Sequence, residues 1–152
     1  MTLRRADLED LDAIVRLLFD DPGSAGRGDV TDQSDRRVYG RALAEILKDP
    51  ANELVVAINS SGRLVGMMQL TAIPGMTNRG RARLFVEAVR IDKDQRSSGI
   101  GAAMMRWLTG TAAPAIDASL VQLLSEASRS DAHRFYRRCG FIGSDVGFTY
   151  RV

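Results

Sequence analysis

The sequence predicts an α/β (α+β) fold in which a mixed sheet carries helices on both faces. Two patterns predict it. Stretches in which apolar residues recur at helical spacing alternate along the chain with shorter, strand-like apolar stretches. One predicted strand also leads through the glycine-rich turn at residues 96–101 directly into a helix. The 152 residues are enough for one well-formed core, so we expect a single domain over residues 1–152.

The first third of the chain is predicted to hold one strand and two helices. A short strand covers residues 2–4, and apolar residues from Leu8 to Leu18 then follow helical spacing, with Asp7 as the N-cap. Residues 22–35 are rich in turn formers and predict a loop. A second helix is predicted over residues 36–48.

Three strands are predicted in the middle of the chain, over residues 53–58, 63–73 and 81–91. The glycine-rich turn and its helix follow the third of them. Gly110 and Pro114 mark the predicted end of that helix.

The carboxyl-terminal part is predicted to contain two strands around one helix. The apolar run at residues 119–125 is typical of a central strand. A helix follows, with Asp131 as its N-cap and Gly140 as its end. The segment "FTYRV", residues 148–152, predicts a last strand.

Composition excludes several classes of protein. The formal net charge is only +2, and no basic stretch is interleaved with aromatic residues, so nucleic-acid binding is not expected. No apolar run is long enough for a signal peptide or a membrane span, and Cys139 is the single cysteine. A cytoplasmic protein is therefore expected. The single histidine, His133, and the lone cysteine form no metal-ligand pattern, so no metal is expected.

Three features suggest chemistry. The loop Arg96-Ser97-Ser98-Gly99-Ile100-Gly101 opens a helix, where free backbone N–H groups favour an anion such as phosphate. Glu87 is predicted to share one side of the preceding strand with Phe85, Val89 and Ile91, and it is either a surface group or a partly buried base. Tyr136 is either a core residue or a proton donor.

Together these features resemble the GNAT superfamily of N-acetyltransferases. The pieces that carry the resemblance are "VEAVRI", "RSSGIG", "VQLLS" and "DAHRFYRRCGF", which occur in the family's order between about residues 84 and 141. The segments "SRSDAHRFY" and "GFTYRV" look most like the aminoalkylphosphonate and small-amine branch. The resemblance implies the GNAT fold, with a mixed, mostly antiparallel sheet of six to seven strands.

The resemblance also implies a reaction and a set of site residues. Acetyl-CoA would donate its acetyl group to a primary amine by direct attack, with Glu87 as the base and Tyr136 as the proton donor to the thiolate. The cofactor-binding residues that it implies are Val89, Arg90, Ile91, Arg96, Ser97, Ser98, Gly99, Ile100, Gly101, Ala102 and Asp131. Family members commonly carry Asn at the position of Asp131.

The acceptor is expected to be a small-molecule amine, selected by the loop at residues 22–35, Tyr39 and residues 73–80. A protein or peptide acceptor and a non-catalytic acyl-CoA-binding module are the alternatives. The pairing of Glu87 with Tyr136 favours an enzyme over the module. Dimers are common in the superfamily, so a homodimer is a further expectation; no membrane partner is expected.

Overall fold

A computed structural model describes residues 1–20 and 33–152 of the chain. Its sheet has five strands in the order β1-β2-β3-β4-β5. The strands are β1 (Thr2–Arg5), β2 (Asn52–Ile58), β3 (Leu64–Ile73), β4 (Arg83–Ile91) and β5 (Leu120–Leu123). Neighbours from β1 to β4 are antiparallel, and β4 and β5 are parallel.

Helices cover both faces of the sheet, as predicted. The helices are α1 (Leu11–Phe19), α2 (Gln33–Lys48), α3 (Ile100–Trp107), α4 (Ala113–Ala115) and α5 (Ser130–Arg138). One core, with buried residues such as Leu17, Leu43 and Met67, lies between the sheet and α1 and α2. The other, centred on Met68 and Met104, lies between the sheet and α3 and α5. These two faces are called the α1/α2 face and the α3/α5 face below.

Two local predictions about helix starts and breaks had different outcomes. Asp7 is an N-cap, as predicted: it accepts a hydrogen bond from the N–H of Glu9, and Asp10 accepts one from the N–H of Asp7. Gly110, by contrast, does not end the helix after the glycine-rich loop. The chain passes through it in a π-helical turn, Leu108–Ala112, and the helix ends only after Pro114.

The predicted six to seven strands are wrong by at least one, because the sheet of the described residues has five. Residues 148–152 alternate like a strand but join no ladder. Side-chain alternation indicates only which faces a strand would have, while the strand itself needs a hydrogen-bonding partner. The run at residues 119–125 does form a strand, β5, but at the edge of the sheet rather than its centre.

Among the described residues, no helix combines the length and apolar character needed to cross a membrane.

Candidate active site

A bulge in β4 creates the opening in which the site lies. Met67 pairs with Arg90 and Gln69 pairs with Glu87, so two residues of β4, Ala88 and Val89, stand opposite one residue of β3. Ala88 adopts a left-handed backbone with a φ of 48°, which is uncommon for a residue other than glycine. The parallel ladder between β4 and β5 ends just before this bulge, at the pair Val86 and Leu123.

The bulge also decides which way the predicted residues point. Gln69, the cross-strand neighbour of Glu87, lies between Met68 and Leu70, which both belong to the core on the α3/α5 face. Gln69 and Glu87 therefore face the α1/α2 side. Val89 packs on the α3/α5 core, so the predicted alternation that placed it on the same side as Glu87 is wrong. Ile91 also packs on the α3/α5 core, so the predicted side is wrong for this residue as well.

Where β4 and β5 separate, they leave a cleft of about 200 Å³. It brings together Glu87, Val89, Arg90 and Tyr136 from among the predicted site residues. The remaining lining comes from neighbouring positions of β4, from the segment after β5 and from α5: Phe85, Val86, Ala88, Leu123, Leu124, Ser125, Glu126, Arg129 and Ala132. Glu87 is exposed at this cleft, whereas Tyr136 is partly buried.

The glycine-rich loop has the backbone form of an anion cradle. Ser97 and Gly99 both have positive φ, 64° and 87°. Gly99 is the N-cap of α3, and the first bond of the helix runs from the Ala103 N–H to the Gly99 carbonyl. The N–H groups of the first turn, up to Ala102, consequently have no acceptor within the helix. A Cβ atom at Gly99 would meet no other atom within 4 Å, so the space beside the N-cap of α3 is open.

Gly101 has a different requirement from Gly99. A Cβ atom at Gly101 would lie 3.1 Å from Cζ and 3.3 Å from Cε2 of Phe135. The missing side chain therefore lets the start of α3 pack against α5. The sequence interpretation assigned both glycines to the approach of phosphate, whereas the structure gives Gly101 a packing role.

Asp92, which was not among the predicted site residues, anchors the turn that leads into the loop. Its side chain is 1 % exposed, and its Oδ2 forms ion pairs with Nη1 of Arg16, at 3.1 Å, and with Nη2 of Arg63, at 2.6 Å. Its Oδ1 also accepts the Asp94 N–H at 3.0 Å. Burial is the largest influence on its pKa and raises it, but these donors together outweigh burial and leave the pKa lowered.

Tyr136 is held among aromatic rings at the base of the cleft. Its ring makes edge contacts with Phe135 and Phe141, at centroid distances of 5.2 and 5.8 Å. Burial raises the pKa of its phenol above the usual 10, against the opposing effect of Arg129 and Arg90. The hydroxyl is therefore protonated at neutral pH and can act as a donor.

A cluster of uncharged polar side chains lies near Glu87 and was also not predicted. Asn52 Oδ1 accepts hydrogen bonds from Thr71 Oγ1, at 2.7 Å, and from Gln69 Nε2, at 3.3 Å. Nδ2 of Asn52 donates a hydrogen bond to Oδ2 of Asp49 at 2.8 Å. Because Gln69 pairs with Glu87 across the sheet, this cluster extends the polar surface around Glu87 on the α1/α2 face. Its members lie on two strands, β2 and β3, which the fold brings side by side.

The other predicted positions lie outside the cleft lining. Asp131 is not the N-cap of α5, because that position falls on Arg129. Asp131 lies in the first turn, where the Ala132 N–H bonds to its carboxylate and lowers its pKa. His133 makes a local contact, from Nε2 to the Glu126 carbonyl oxygen at 2.9 Å. Burial raises the pKa of the Cys139 thiol, which disfavours a nucleophilic thiolate.

The predicted determinants of acceptor choice are only partly described. The loop at residues 22–35 falls mostly outside the described residues. Tyr39 makes an edge contact with Phe19 at 5.9 Å between ring centroids. Within residues 1–20 and 33–152, no three His, Cys, Asp or Glu side chains are grouped so as to hold a metal ion.

Comparison with known proteins places this geometry in a family. The model of the Acetyltransferase (GNAT) family matches residues 11–141. An aminoalkylphosphonate N-acetyltransferase of Salmonella typhimurium is 28 % identical over 147 residues, 97 % of this chain and 88 % of that protein. A transcriptional regulator of Bacillus halodurans C-125 has a structure with a TM-score of 0.92 and 36 % identity over 99 % of both chains. A glucosamine-6-phosphate N-acetyltransferase from Arabidopsis thaliana shares the fold, with a TM-score of 0.79 at 16 % identity, over 99 % of this chain and 97 % of that one.

The chain belongs to the GNAT acetyltransferase family, which confirms the resemblance drawn from the sequence. It is an acetyl-CoA-dependent N-acetyltransferase, with acetyl-CoA as the co-substrate. The residues present fit that molecule. The open cradle at Gly99 can receive its phosphates, and the gap between β4 and β5 leaves strand backbone available to its extended arm.

Proposed function

We propose that this enzyme acetylates a primary amine of a small molecule by direct attack, with Glu87 as the base and Tyr136 as the acid. The observation that carries the proposal is the single cleft, opened by the bulge in β4, that both side chains line. Both residues therefore border the space that β4 and β5 leave between them. The small-molecule acceptor is supported by the relative named as an aminoalkylphosphonate N-acetyltransferase.

Acetyl-CoA supplies the acetyl group as a thioester. The first-turn N–H groups of α3, with Ser97 and Gly99 shaping the loop, would hold the pyrophosphate. The backbone of Val89 and Ile91, beyond the end of the β4–β5 ladder, would bind the pantetheine arm and donate an N–H to the carbonyl oxygen. The remaining proposed contacts are Arg90, Arg96, Ser98, Ile100, Gly101, Ala102 and Asp131.

Two proton transfers fall to side chains of the cleft. An ammonium group cannot attack a carbonyl, so Glu87 would accept a proton from the acceptor, directly or through water. When the carbon–sulfur bond breaks, the sulfur must be protonated, and the phenol of Tyr136 would donate that proton. The raised pKa of Tyr136 suits a donor, since the group carries its proton at neutral pH. Each such transfer contributes about 10²- to 10⁴-fold in rate.

The polar cluster of Asn52, Gln69 and Thr71 supports an acceptor that approaches from the α1/α2 face. It lies on the same side of the sheet as Glu87, and its amide and hydroxyl groups are uncharged hydrogen-bonding partners. An amine bound to this cluster would lie on the same side of the sheet as Glu87 and close to it. This placement separates the acceptor from the pyrophosphate cradle, which lies at the start of α3.

The test measures thiol release from acetyl-CoA against a panel of aminophosphonates, small amines, amino acids and peptides. We expect stimulation by small amines and weaker stimulation by peptides; the reverse order would contradict the proposed acceptor. A rise in melting temperature with acetyl-CoA, but no stimulation by any amine, would instead favour a binding module.

Glu87→Gln tests the base, and Glu126→Gln is the matched control because Glu126 also lines the cleft. We expect Glu87→Gln to lower kcat at neutral pH by about 10²-fold or more, while acetyl-CoA still raises the melting temperature. Glu126→Gln should change kcat much less. A larger loss in Glu126→Gln would transfer the role of base to that residue.

A further inference from the structure

The polar cluster beside Glu87 is a hydrogen-bond chain whose direction can be worked out from its first member. The chain begins at Asp49, passes through Asn52, and ends at Gln69 and Thr71. The side chains of Asn52, Gln69 and Thr71 are half-buried, so their polar groups are partly shielded from water. The two proton transfers of the proposed reaction give these groups no role.

Asp49 fixes the orientation of the Asn52 amide. Oδ1 of Asp49 accepts the Ala51 N–H at 2.8 Å, and its Oδ2 accepts a hydrogen bond from Asn52 at 2.8 Å. These two hydrogen bonds lower the pKa of Asp49, so the group is a carboxylate at neutral pH and can only accept. The Asn52 atom that meets it must therefore be the donor Nδ2, and Oδ1 is left for partners on β3.

Asn52 in turn fixes the amide of Gln69. Oδ1 of Asn52 accepts hydrogen bonds from Oγ1 of Thr71, at 2.7 Å, and from Nε2 of Gln69, at 3.3 Å. If the Gln69 amide were reversed, two carbonyl oxygens would face each other with no hydrogen atom between them. Gln69 therefore turns its nitrogen toward Asn52 and keeps Oε1 as its remaining acceptor.

Glu87 stands on the other side of Gln69. β3 lies between β2 and β4, and Gln69 pairs with Glu87 in the register of β3 and β4. Paired residues of antiparallel strands have Cβ atoms about 4.5–5.5 Å apart when they share a face. The amide oxygen of Gln69 and the carboxylate of Glu87 can therefore both reach one nitrogen atom placed between them.

We propose that Gln69 binds the acceptor amine through Oε1, next to Glu87, and that Asn52 is a positioning residue that sets the direction of the Gln69 amide. The inference rests on the proposed function, because it takes Glu87 as the base. A primary ammonium group has three N–H donors, so it can bond to Oε1 and to the Glu87 carboxylate together. After Glu87 has taken one proton, Oε1 still accepts one of the remaining N–H groups and keeps the amine in place.

Two acceptor oxygens also determine which amines the site selects. An N,N-dimethylammonium group has a single N–H, so it can bond to only one of the two oxygens. The charged carboxylate is the stronger acceptor, and the single N–H therefore goes to Glu87. Binding of a primary amine should depend on Gln69, whereas binding of its N,N-dimethyl derivative should not.

Steady-state kinetics of Gln69→Met test the binding role, because methionine replaces the amide with an apolar thioether of similar size. The probes are the small primary amine of the panel with the highest kcat/KM and, as a competitive inhibitor, its N,N-dimethyl derivative. We expect the KM of the primary amine to rise about 10- to 100-fold with little change in kcat, since the lost bond is made before and during the reaction. The inhibition constant of the dimethyl derivative should stay close to the wild-type value.

Gln122→Met is the matched control, because Gln122 is also a half-buried strand glutamine but lies on β5. It should leave the KM, the kcat and the inhibition constant near those of the wild type. An unchanged KM in Gln69→Met would overturn the inference, and so would an equal loss in Gln122→Met. Equal weakening of the primary amine and the dimethyl derivative in Gln69→Met would also overturn it, because it would indicate general damage to the site.

A double-mutant cycle tests the positioning role of Asn52. Asn52→Leu should raise the KM of the primary amine less than Gln69→Met does, and the double variant should be no worse than Gln69→Met alone, because Asn52 acts through Gln69. Additive losses would overturn that role. Melting curves with and without acetyl-CoA check that each variant folds and binds the co-substrate. If no small amine stimulates thiol release by the wild type, the proposed function itself fails, and the inference falls with it.

Discussion

Asp92→Asn should lower the free energy of unfolding by about 2–3 kcal/mol. Loss of one partner from a buried ion pair costs about 3–5 kcal/mol when the remaining charge has no access to water. Here the remaining charges are Arg16 and Arg63, whose side chains are 38 % and 49 % exposed and can be hydrated. The asparagine also keeps an oxygen for the Asp94 N–H. Both facts place the expected loss of unfolding free energy at the lower end of that range or just below it.

The pH dependence of this loss has a definite sign. The pKa of Asp92 is lower in the folded chain than its unfolded value of about 3.9. Its contribution to stability is therefore fully present above that unfolded value and disappears as the pH falls through the folded one. The difference in stability between wild type and Asp92→Asn should be constant from about pH 5 to 8 and should shrink below about pH 4.

Urea unfolding at a series of pH values measures both quantities. Asp94→Asn is the control, since it removes the same charge two residues away at an exposed position and should change stability by less than about 0.5 kcal/mol. Equal effects of the two variants, or a difference that does not shrink in acid, would refute the role given to the Asp92 ion pairs. The Asp92 variant should also show a smaller acetyl-CoA-induced melting shift, because Asp92 anchors the turn before the loop.

Two further predictions concern packing and catalysis. Gly101→Ala should lower the free energy of unfolding by about 1 kcal/mol, because its Cβ would meet Phe135. Gly110→Ala is the control, because a Cβ there has open space, and it should be neutral or stabilising. Equal urea midpoints of the two variants would contradict the packing role of Gly101. Tyr136→Phe should reduce kcat by about 10²-fold with little change in acetyl-CoA binding. If deprotonation of Tyr136 makes the wild type lose activity in alkali, that loss should occur above pH 10 and should be absent from the variant. An unchanged rate would remove Tyr136 from the mechanism.

The turn into α3, where we propose that the cofactor binds, could be predicted because its signals are local. The turn into α3 needs positive φ at Gly99, and glycine at that position is visible in the sequence. The strand before it and the helix after it have their own apolar patterns. Glu87 and Tyr136 are proposed as catalytic residues through family resemblance, since neither stands out by residue type alone.

The rest depends on contacts between distant parts of the chain. Arg16 and Arg63 reach Asp92 across 76 and 29 residues, and charge alone does not identify them among 21 basic residues. The bulge was missed because its left-handed residue is Ala88. Glycine is the usual sequence signal for a left-handed residue in a bulge, and no glycine stands there. The number of strands was overestimated because the alternating pattern of residues 148–152 contains no information about a hydrogen-bonding partner.

Ala88 offers the most direct test of the bulge as the feature that opens the cleft. A left-handed backbone costs a non-glycine residue about 1–2 kcal/mol, and glycine loses about 0.5–1 kcal/mol more backbone entropy on folding. Ala88→Gly should therefore be neutral or stabilising by up to about 1.5 kcal/mol and should retain acetyl-CoA binding.

Ala88→Val should have the opposite effect, because a β-branched residue strongly disfavours positive φ. Urea unfolding should rank the stabilities as Gly at or above Ala, and Ala above Val. If the valine variant straightens β4 instead, Glu87 and Val89 return to one face and the acetyl-CoA-induced melting shift is lost. A valine variant with wild-type stability and an unchanged shift would show that the left-handed conformation of Ala88 is not required for the cleft.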